Sequence, residues 1–496
     1  MTRDAQPATR DVTRDNLVAE VTALLHADWR LALVAAHEDA DDFRIVYVFL
    51  TPAQRPLELW LRVPRADAWL PTLAAVSYPG GRFEREVRDL YGIRPEGHPL
   101  PRRLVRHGHW PKGYYPMLRD ADPTPHFDPD VGSYPFIQVN GSGVYEIPVG
   151  PVHAGLIEPG HFRFSVVGET IVRMKARLWF VHRGVEKLFE GRPPEQGIEL
   201  AERVSGDTAV GHCLAYAMAV EQAAGIEVAA EDLARRAQLL ELERLYNHVS
   251  DIGAIVNDVG YGIIHAHTQR LREQLLRHNK HVTGHRLLRG AITIGGTHVR
   301  GQPDLDLVAR VARTVDELVD AALGNHVVHD RLTGTAILDS DQARLLDTLG
   351  YVARASGLRT DARLDHPFVN LSDTFEPATQ TAGDVMARFL IRSDEVTTSA
   401  ALISLLTGRT SPAAKHTKTT RRGHGLGHGL GVVEAWRGTL IHRVELAPDG
   451  TLSRVKIVDP SYFNWPAVPV ALDDTIVPDF PLANKSFNQS YAGNDL

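Results

Sequence analysis

Residues 202–222 read "ERVSGDTAVGHCLAYAMAVEQ". Two small hydroxyl residues, Ser205 and Thr208, stand three positions apart, directly before an apolar run of helical composition. Cysteines at this spacing often hold a metal ion, but neither residue is a cysteine. Taken alone, such a pair is more often a helix cap, because hydroxyl oxygens accept hydrogen bonds from free backbone amides. The stretch is therefore a metal site, the remains of one or an ordinary cap.

The composition is that of an ordinary globular protein. Of the 496 residues, 43% are hydrophobic and 23% are charged, and the formal net charge is −7. This length predicts two to four domains. The acidic balance gives no general attraction to nucleic acid, so we expect no nucleic-acid partner. No apolar run approaches the ~18 residues of a membrane span, and the first residues lack the apolar stretch of a signal peptide. We expect a cytoplasmic protein.

Cys213 is the only cysteine of the chain. A single thiol excludes internal disulfides, a multi-cysteine zinc site and an iron–sulfur cluster held by this chain alone. Because Cys213 lies in an apolar helical stretch, we expect it to be buried as a packing residue rather than exposed as a nucleophile.

The first part of the chain, to about residue 120, is predicted to be a small α/β domain. Residues 43–50 and 57–63 are rich in β-branched and aromatic residues and are bounded by turn formers, as is typical of strands. We predict a helix over residues 65–79. Six prolines between residues 111 and 135 exclude helix and central strand there. We therefore expect an extended linker over residues 121–140.

The remainder, residues 141–496, is predicted to be mainly helical. Apolar residues recur at helical spacing in four long segments, which indicate a helical bundle: residues 230–260, 267–290, 304–323 and 381–406. Residues 431–460 are predicted to form a β-hairpin, with Asp449 and Gly450 in the turn.

Two further stretches contain candidate site residues. Glu158 and His161 lie three residues apart in "EPGH". A partly buried carboxylate and imidazole can both titrate near neutral pH and so can form a proton relay, although a surface turn is the simpler interpretation. Near the C-terminal end, "LANKSFNQSYAGNDL" places Ser486 and Gln489 at the same three-residue spacing as Ser205 and Thr208. This pair alone is also more often a cap or a turn.

Six segments occur in an order that resembles the [NiFe]-hydrogenase large subunit and its relative, the quinone-binding subunit of respiratory complex I. They are "GPVHAGLIEPGHFRFSVVGE" (150–169), "WFVHRGVEKLFEGR" (179–192), "ERVSGDTAVGHCLAYAMAVEQ" (202–222), "YVARASG" (351–357), "EAWRGTLIH" (434–442) and "VDPSYFNWP" (458–466). Residues 81–120 resemble the small subunit that lies beside that one in complex I. The fused order is similar to the large subunits of formate hydrogenlyase and hydrogenase-4.

This resemblance implies an α+β fold class. We expect a complex I small-subunit-like α/β domain at residues 1–120 and a Pro-rich linker at residues 121–140. Residues 141–496 would then form a mainly α-helical bundle domain of the hydrogenase large-subunit type with peripheral β-structure.

The resemblance also bears on the metal. In the hydrogenases, two Cys-x-x-Cys pairs hold nickel and iron, because soft thiolates bind these metals strongly. The first pair matches Ser205 and Thr208, and we match the second to Ser486 and Gln489. Hydroxyls and an amide are poor ligands for such a centre, and Cys213 cannot replace four thiolates. The resemblance therefore predicts no metal, and it predicts that these four residues line a former metal site. In the complex I subunit, the equivalent cavity became part of a quinone site.

Other residues match functional positions of the family. Glu158 matches a glutamate that passes protons near nickel, and His161 matches a histidine that faces the quinone headgroup in complex I. Arg437 matches an arginine that leans over the active-site iron. Glu186 matches an acidic position close to a magnesium site in some hydrogenases, but their C-terminal histidine is absent here, so we expect no magnesium. The stretch 203–212 lacks the tyrosine that complex I places beside its quinone.

The resemblance thus predicts one subunit of a membrane-associated, multi-subunit oxidoreductase, peripheral on the cytoplasmic side of the membrane. The expected partners are an iron–sulfur small subunit, which would hold the cluster, and membrane-arm subunits. In one hypothesis, the cavity binds a quinone or relays protons, with Glu158, His161 and Arg437 as catalytic residues. In the other, the chain is a non-catalytic scaffold. A polar channel that reaches the cavity favours the first hypothesis, and a cavity filled by side chains favours the second.

Overall fold

The structure is a computed structural model that describes residues 7–129, 134–154, 157–371, 375–411, 420–421 and 427–496. The predicted α+β class is confirmed, with a sheet domain at the N-terminal end followed by a mainly helical domain. Among the described residues, no helix combines the length and the apolar composition that crossing a membrane requires.

The N-terminal domain is built on a four-stranded sheet in the order β1-β4-β3-β2. Strand β1 pairs in parallel with β4, and the other pairs are antiparallel. The strands predicted at residues 43–50 and 57–63 are confirmed as β3 and β4. The elements are β1 Ala8–Val12, α1 Leu17–His26, β2 Arg30–Glu38, β3 Asp42–Leu50, β4 Leu57–Pro64, β5 Trp69–Pro71, α2 Tyr78–Tyr91 and β6 Arg94–Glu96.

The helix predicted over residues 65–79 is wrong. Residues Arg65–Asp67 form a single 3-10 turn, β5 follows, and the helix α2 begins only at Tyr78. Ser77 determines this start, because its hydroxyl accepts a hydrogen bond from the amide of Gly80 at 3.1 Å. Such a cap satisfies an amide that the first helical turn leaves free.

The proline-rich segment contains no helix or strand in the described parts of residues 121–140. It lies against its own chain, since Arg102 donates a hydrogen bond to the carbonyl of Pro135 at 2.6 Å and Lys175 donates to that of Ile137 at 2.8 Å. The domain boundaries at residues 120 and 140 stay a prediction.

A second, smaller sheet opens the C-terminal domain, in the order β7-β8-β9. The next helices lead to α5, which follows the Ser205–Thr208 loop. These elements are β7 Val144–Val149, β8 His161–Val167, β9 Thr170–Arg177, α3 Val185–Phe189, α4 Pro194–Ala201, α5 Ala209–Ala224 and β10 Ile226–Glu227.

The four predicted long helices are present as α6, α7, α8 and α13, and α6 packs against both α7 and α13. Helix α7 ends seven residues earlier than expected, because Gly284 adopts a left-handed conformation with φ 93°. The elements are α6 Ala230–Asp258, α7 Gly262–Thr283, β11 Ile292–Thr293, β12 Gly296–Thr297, α8 Leu305–Leu323, α9 His326–Leu332, α10 Ser340–Leu345, α11 Gly350–Ala355, α12 Ala362–Asp365 and α13 Val385–Thr407.

The predicted hairpin at residues 431–460 is present as β15 and β16, but a third strand, β14, pairs antiparallel with β15. The turn between β14 and β15 contains Trp436 and Arg437, and this places the arginine in the site. The last elements are β13 Thr420–Arg421, β14 His428–Ala435, β15 Gly438–Leu446, β16 Leu452–Val458, α14 Pro460–Asn464, α15 Ala467–Ala471, the 3-10 turn Val477–Asp479, α16 Phe480–Phe487 and α17 Tyr491–Asp495.

Helix α5 lies directly on this sheet. At Gly431, a Cβ atom would stand 1.9 Å from the carbonyl oxygen of Ala215, and at Gly429 one would stand 2.2 Å from that of Ala219. Only glycine allows so close an approach of strand and helix. The two glycines therefore set the position of α5 and of the loop before it.

Buried ion pairs join the two domains. Arg443 of β15 donates to Glu58 of β4 at 2.9 Å and to Glu445 at 2.7 Å. Arg44 of β3 also pairs with Glu445, at 2.8 Å. Burial alone would raise the pKa of Glu58, but the Arg443 charge lowers it below its ordinary value. The arginine and glutamate charges buried between the two domains are therefore paired with each other.

The Arg443→Met substitution should destabilise the contact between the domains. It leaves Glu58 buried without its cation, which costs about 3–5 kcal/mol in comparable pairs. Hydrogen–deuterium exchange in β4 and β15 should rise, and the apparent melting temperature should fall. The matched control is Arg62→Met, which removes an exposed arginine of β4 paired with Asp39 at 3.1 Å, and such a surface pair contributes ~0–1 kcal/mol. Equal exchange in the two variants would contradict the role of the buried pairs.

Candidate functional site

A polar cavity of about 380 Å³ lies where three parts of the chain meet. The Ser205–Asp207 loop forms one wall, the turn between β14 and β15 contributes Arg437, and the segment from Asn484 to Tyr491 forms the opposite wall. The lining residues are Ile157, Glu158, Ser205, Gly206, Asp207, Arg437, Asn484, Lys485, Asn488, Gln489, Ser490 and Tyr491. The cavity is therefore neither apolar nor filled by side chains.

The strongest interaction in the cavity is a bidentate ion pair between Asp207 and Arg437. The two terminal nitrogens of Arg437 each donate to a different oxygen of Asp207 at 2.7 Å. Burial alone would raise the pKa of Asp207, but the Arg437 charge and hydrogen bonds from Ser205 and Thr208 lower it to about 2. The Asp207 side chain is nevertheless 40% exposed, because it faces the cavity. The carboxylate is thus ionised and accessible.

Arg437 is fixed on every side. Its Nε donates to the carbonyl of Asn488 at 2.6 Å, and its guanidinium lies over the ring of Trp436 at 4.0 Å. Its position in the cavity agrees with the expectation for this residue. Sequence reasoning missed Asp207, although it lies between the two residues that attracted attention.

Ser205 faces Ser490 across the cavity, with 2.8 Å between their hydroxyl oxygens. Ser486, which the resemblance predicts at this site, does not line the cavity. The hydroxyl of Ser486 is fully buried, accepts from Nε of Arg388 at 2.9 Å and donates to the carbonyl of Ala483 at 2.7 Å. The three-residue spacing also fits Ser490 and Gly493, of which Ser490 lines the cavity and Gly493 lies behind it against the carboxylate of Asp459.

The other two matched residues, Thr208 and Gln489, differ in their position relative to the cavity. Thr208 is buried beneath the cavity, where its hydroxyl donates to Asp207 at 3.1 Å and accepts from the indole of Trp436 at 3.1 Å. Gln489 lines the cavity, and its amide nitrogen donates to the hydroxyl of Tyr351 at 3.3 Å. Its Oε1 is buried and has no partner among the described residues. Thr208 is therefore a support, and Gln489 is a wall residue.

Only one of the two residues Glu158 and His161 lies at the cavity. Glu158 lines the cavity and accepts a hydrogen bond from the amide of Ala492 at 3.0 Å. His161 begins β8, and it lies outside the lining. Its Nδ1 is 3.0 Å from the carbonyl oxygen of Gly150, and its ring lies beside Phe136. The structure thus places only Glu158 of the proposed relay at the cavity.

Behind the Ser490 wall lies a buried chain of titratable groups that the sequence did not reveal. His212 of α5 is 3.1 Å from Asp459 through Nε2 and 3.1 Å from His442 through Nδ1. Asp459 also accepts from the amide of Ser461 at 2.8 Å. It touches Gly493 so closely that a Cβ atom there would be 2.6 Å from its carboxylate. Asp459 lies in the family-like segment 458–466, but only the folded structure brings it to His212.

The residues matched to the nickel and iron ligands do not fit a nickel–iron centre. Ser205, Thr208, Ser486 and Gln489 offer hydroxyl and amide groups instead of the thiolates that such a centre needs, and Ser486 is occupied by a guanidinium. Cys213 is buried as expected, and burial raises the pKa of its thiol well above the ordinary value.

Glu186 does not offer a free carboxylate to magnesium. One of its oxygens accepts from Arg454 at 2.7 Å, and the other lies 3.1 Å from the ammonium of Lys456. Across the described ranges, no group of three or more His, Cys, Asp or Glu side chains is arranged to hold a metal ion.

Comparison with known proteins places this geometry in a family. Residues 258–424 match the family model of the 49 Kd subunit of respiratory-chain NADH dehydrogenase, and residues 11–126 match that of the 30 Kd subunit. Formate hydrogenlyase subunit 5 of Escherichia coli is 32% identical over 504 residues, which cover 97% of this chain and 87% of that protein. The chain belongs to the family that includes formate hydrogenlyase subunit 5 and the 49 Kd and 30 Kd subunits of NADH dehydrogenase.

Other members of the family are similar over much of the chain. Hydrogenase-4 component G of Escherichia coli is 34% identical, over 83% of this chain and 73% of that protein. The C/D protein of the NADH-quinone oxidoreductase of Phocaeicola vulgatus is 31% identical, over 68% of this chain and 70% of that protein. A chain of the archaeal membrane-bound sulfane sulfur reductase shares the fold, with a TM-score of 0.63 at 23% identity over 73% of this chain and 100% of that one.

The two matched ranges of the family models leave out the residues of the cavity. Glu158, Ser205, Arg437 and Ser490 all lie outside residues 11–126 and 258–424. Membership of the family rests on the full-length similarity to formate hydrogenlyase subunit 5, while the two family models say nothing about the cavity residues.

The Gly493→Ala substitution should distort the C-terminal segment behind the cavity. Its Cβ atom would meet the Asp459 carboxylate, which His212 and the Ser461 amide hold in place, and such overpacking costs ~1–3 kcal/mol. The melting temperature should fall, and the His212 imidazole resonances should shift. The control is Gly206→Ala, because no heavy atom lies within 4 Å of a Cβ at Gly206. A Gly493→Ala protein as stable as the control would contradict this account.

Proposed function

We propose that this chain is the cavity-bearing subunit of a membrane-associated, multi-subunit oxidoreductase, and that its cavity exchanges protons and receives a quinone-like electron acceptor without a nickel–iron centre. The relatives named above are subunits of formate hydrogenlyase, hydrogenase-4 and NADH-quinone oxidoreductase, which supports the role in an oxidoreductase complex. The observation that supports the rest of the proposal is the polar, partly open cavity beside Glu158.

Proton exchange needs a carboxyl group that can reach the cavity. Glu158 lines it, while its hydrogen bond from the Ala492 amide leaves the second carboxylate oxygen for a water or a substrate. Asp207 is held ionised by Arg437 and so cannot take up the proton at neutral pH. Glu158 is therefore the proton-exchanging group of the cavity.

An electron acceptor of the quinone class needs hydrogen-bond donors for its two carbonyl oxygens. Lys485 lines the cavity and can serve, whereas Tyr491 lines it with its ring while its hydroxyl is buried in the wall. Burial, together with the nearby Glu158 and Asp495 charges, raises the pKa of Tyr491 to about 12, so its phenol keeps its proton. A tyrosine is thus present at the cavity, although it comes from the C-terminal segment and not from residues 203–212.

The donor set also supports the absence of the metal centre. Asp207, the one carboxylate between the two hydroxyl residues, is neutralised by the guanidinium of Arg437 and so is not free to bind a metal ion. Hydroxyl groups of Ser205 and Ser490 bond to each other at the positions facing this pair. The cavity is therefore electrostatically complete without nickel or iron.

Partners follow from the same proposal. A chain that holds no redox centre of its own needs electrons from a neighbouring subunit, and an iron–sulfur subunit has the required chemistry. Membrane-arm subunits would hold the assembly at the membrane, where this chain would be peripheral on the cytoplasmic side.

One observation favours the alternative that the chain is a scaffold. Each of the three guanidinium nitrogens of Arg437 already donates to this chain, through Asn488 and Asp207. The site is thus stable without any bound molecule. A substitution that changes only proton exchange distinguishes the catalytic function from the scaffold function.

Nickel analysis tests the absence of the metal centre. The native complex, purified with its partners, should contain less than about 0.1 nickel per chain, because no thiolate pair is present to bind it. Iron is not informative, since clusters of a partner subunit would contribute it. One nickel per chain would overturn this part of the proposal.

The Glu158→Gln substitution tests proton exchange. The amide keeps the shape of the side chain and still accepts a hydrogen bond from Ala492, but it cannot take up and release a proton. Turnover of the assembled complex should fall tenfold or more, which corresponds to about 1.4 kcal/mol in the barrier, while assembly and melting temperature stay unchanged.

The control is Glu169→Gln, which changes an exposed glutamate in the turn after β8 and should leave turnover unchanged. If Glu158→Gln retains full turnover, the scaffold function replaces the proposal.

A further inference from the structure

A second, enclosed chamber lies behind the cavity, where the N-terminal domain meets the C-terminal segment. Its volume is about 20 Å³, which is enough for one water molecule. Helix α2 forms one side, with Phe83, Glu86 and Leu90. The other sides are the His182–Glu186 segment, the end of β16 with Asp459 and Tyr462, and residues Gly493–Leu496.

Two polar atoms at this chamber lack a hydrogen-bond partner among the described residues. They are Oε2 of Glu86 and the hydroxyl of Tyr462, and both are buried. A buried polar group without a partner is costly, so such groups are normally satisfied by protein or by ordered water. One water in the chamber, between Glu86 and Tyr462, would satisfy both atoms.

The surroundings of Glu86 favour its protonated form. Burial, with help from the Glu186 charge, raises the pKa of Glu86 above its ordinary value, although Lys456 opposes the shift. The ammonium of Lys456 donates to the other oxygen of Glu86. The titratable and charged groups that face Glu86 from the elements packed around it are Lys456 and Arg454 of β16, Glu186 of α3, Asp459, Tyr462 of α14, and His182 and Asp495 at the chamber wall.

The chamber is linked to the cavity through the short helix α17. At its start, the amide of Ala492 binds Glu158, which lines the cavity. At its end, Asp495 lines the chamber, about 5 Å farther along at 1.5 Å per residue. Burial, with a contribution from the Glu158 charge, raises the pKa of Asp495 to about 6. The two carboxyl groups therefore interact across the wall that separates the two spaces.

We infer that Glu86 of the N-terminal domain stores a proton that the cavity exchanges through Glu158, Asp495 and one water of the chamber. This inference rests on the proposed function. In net terms the carboxyl of Glu158 loses a proton, Asp495 and the chamber water relay it, and the carboxylate of Glu86 takes it up, while no electron moves. The N-terminal domain then takes part in proton exchange as well as in assembly.

The test uses the assembled complex with the Glu86→Gln substitution. The amide preserves the hydrogen bond from Lys456 but holds no exchangeable acidic proton. One infrared band of a protonated buried carboxyl, sensitive to deuterium exchange, should disappear. Turnover should fall threefold or more, and its solvent isotope effect should rise, because proton transfer becomes slower. The matched control is Glu84→Gln on the same helix, since Glu84 is buried but accepts from Thr72 and the Leu73 amide outside the chamber. Burial raises the pKa of Glu84 to about 7, so this control is compared by turnover and isotope effect, both of which should stay unchanged, and not by its infrared band.

A second variant keeps the test decisive if Glu86→Gln fails to assemble. Tyr462→Phe removes only the hydroxyl and preserves the ring stacking on Phe83 at 4.6 Å between centroids. Its turnover should also fall and its isotope effect rise. Wild-type turnover and isotope effect in Tyr462→Phe, or an unchanged carboxyl band in Glu86→Gln, would overturn the inference.

Glu158→Gln, measured in parallel, separates the two levels of the argument. A slow Glu158→Gln complex beside a fully active Glu86→Gln complex leaves the proposed function intact and refutes the proton store. Full turnover in Glu158→Gln refutes the proposed function itself.

Discussion

Helix α5 lies so close to β14 that Gly431 and Gly429 have no room for a side chain, with helix carbonyls about 2 Å from where their Cβ atoms would stand. This contact fixes the loop before the helix, which contains Ser205 and Asp207. It also fixes the turn after β14, which contains Arg437. The bidentate Asp207–Arg437 pair can form only because these two segments are held in register by the packing of backbone on backbone.

The ion pair in turn explains the character of the cavity. An arginine without a partner would be costly at such a depth, and a carboxylate beside it supplies the compensating charge. With Ser205 and Ser490 bonded to each other, the cavity presents hydroxyls, amides and the carboxyl group of Glu158. Such a lining suits water, protons and carbonyl groups better than it suits a soft metal.

The two domains of the fusion share more than a covalent link. Arg443 and Glu58 form a compensated ion pair between the sheets, and Glu86 meets Lys456 beside the enclosed chamber. Both contacts place charges of the N-terminal domain against strands β15 and β16, which lie next to the site. Apolar packing of the same area would be at least as stable, so these buried pairs do not account for the strength of the interface.

The sequence by itself determined the fold class, the long helices and the identity of the family, because periodicity and segment order are local properties of the chain. It also singled out Glu158, Ser205 and Arg437, all of which line the cavity, while their roles stay a prediction. It placed the second pair wrongly at Ser486 and Gln489, although Ser490 also begins a three-residue spacing. The tertiary structure decided in favour of Ser490. Helix α16 ends at Phe487, and Asn488 after it adopts a left-handed conformation with φ 37°. That turn leaves Ser486 buried on Arg388 and directs Ser490 to Ser205, and no local pattern encodes the contact between residues 285 positions apart.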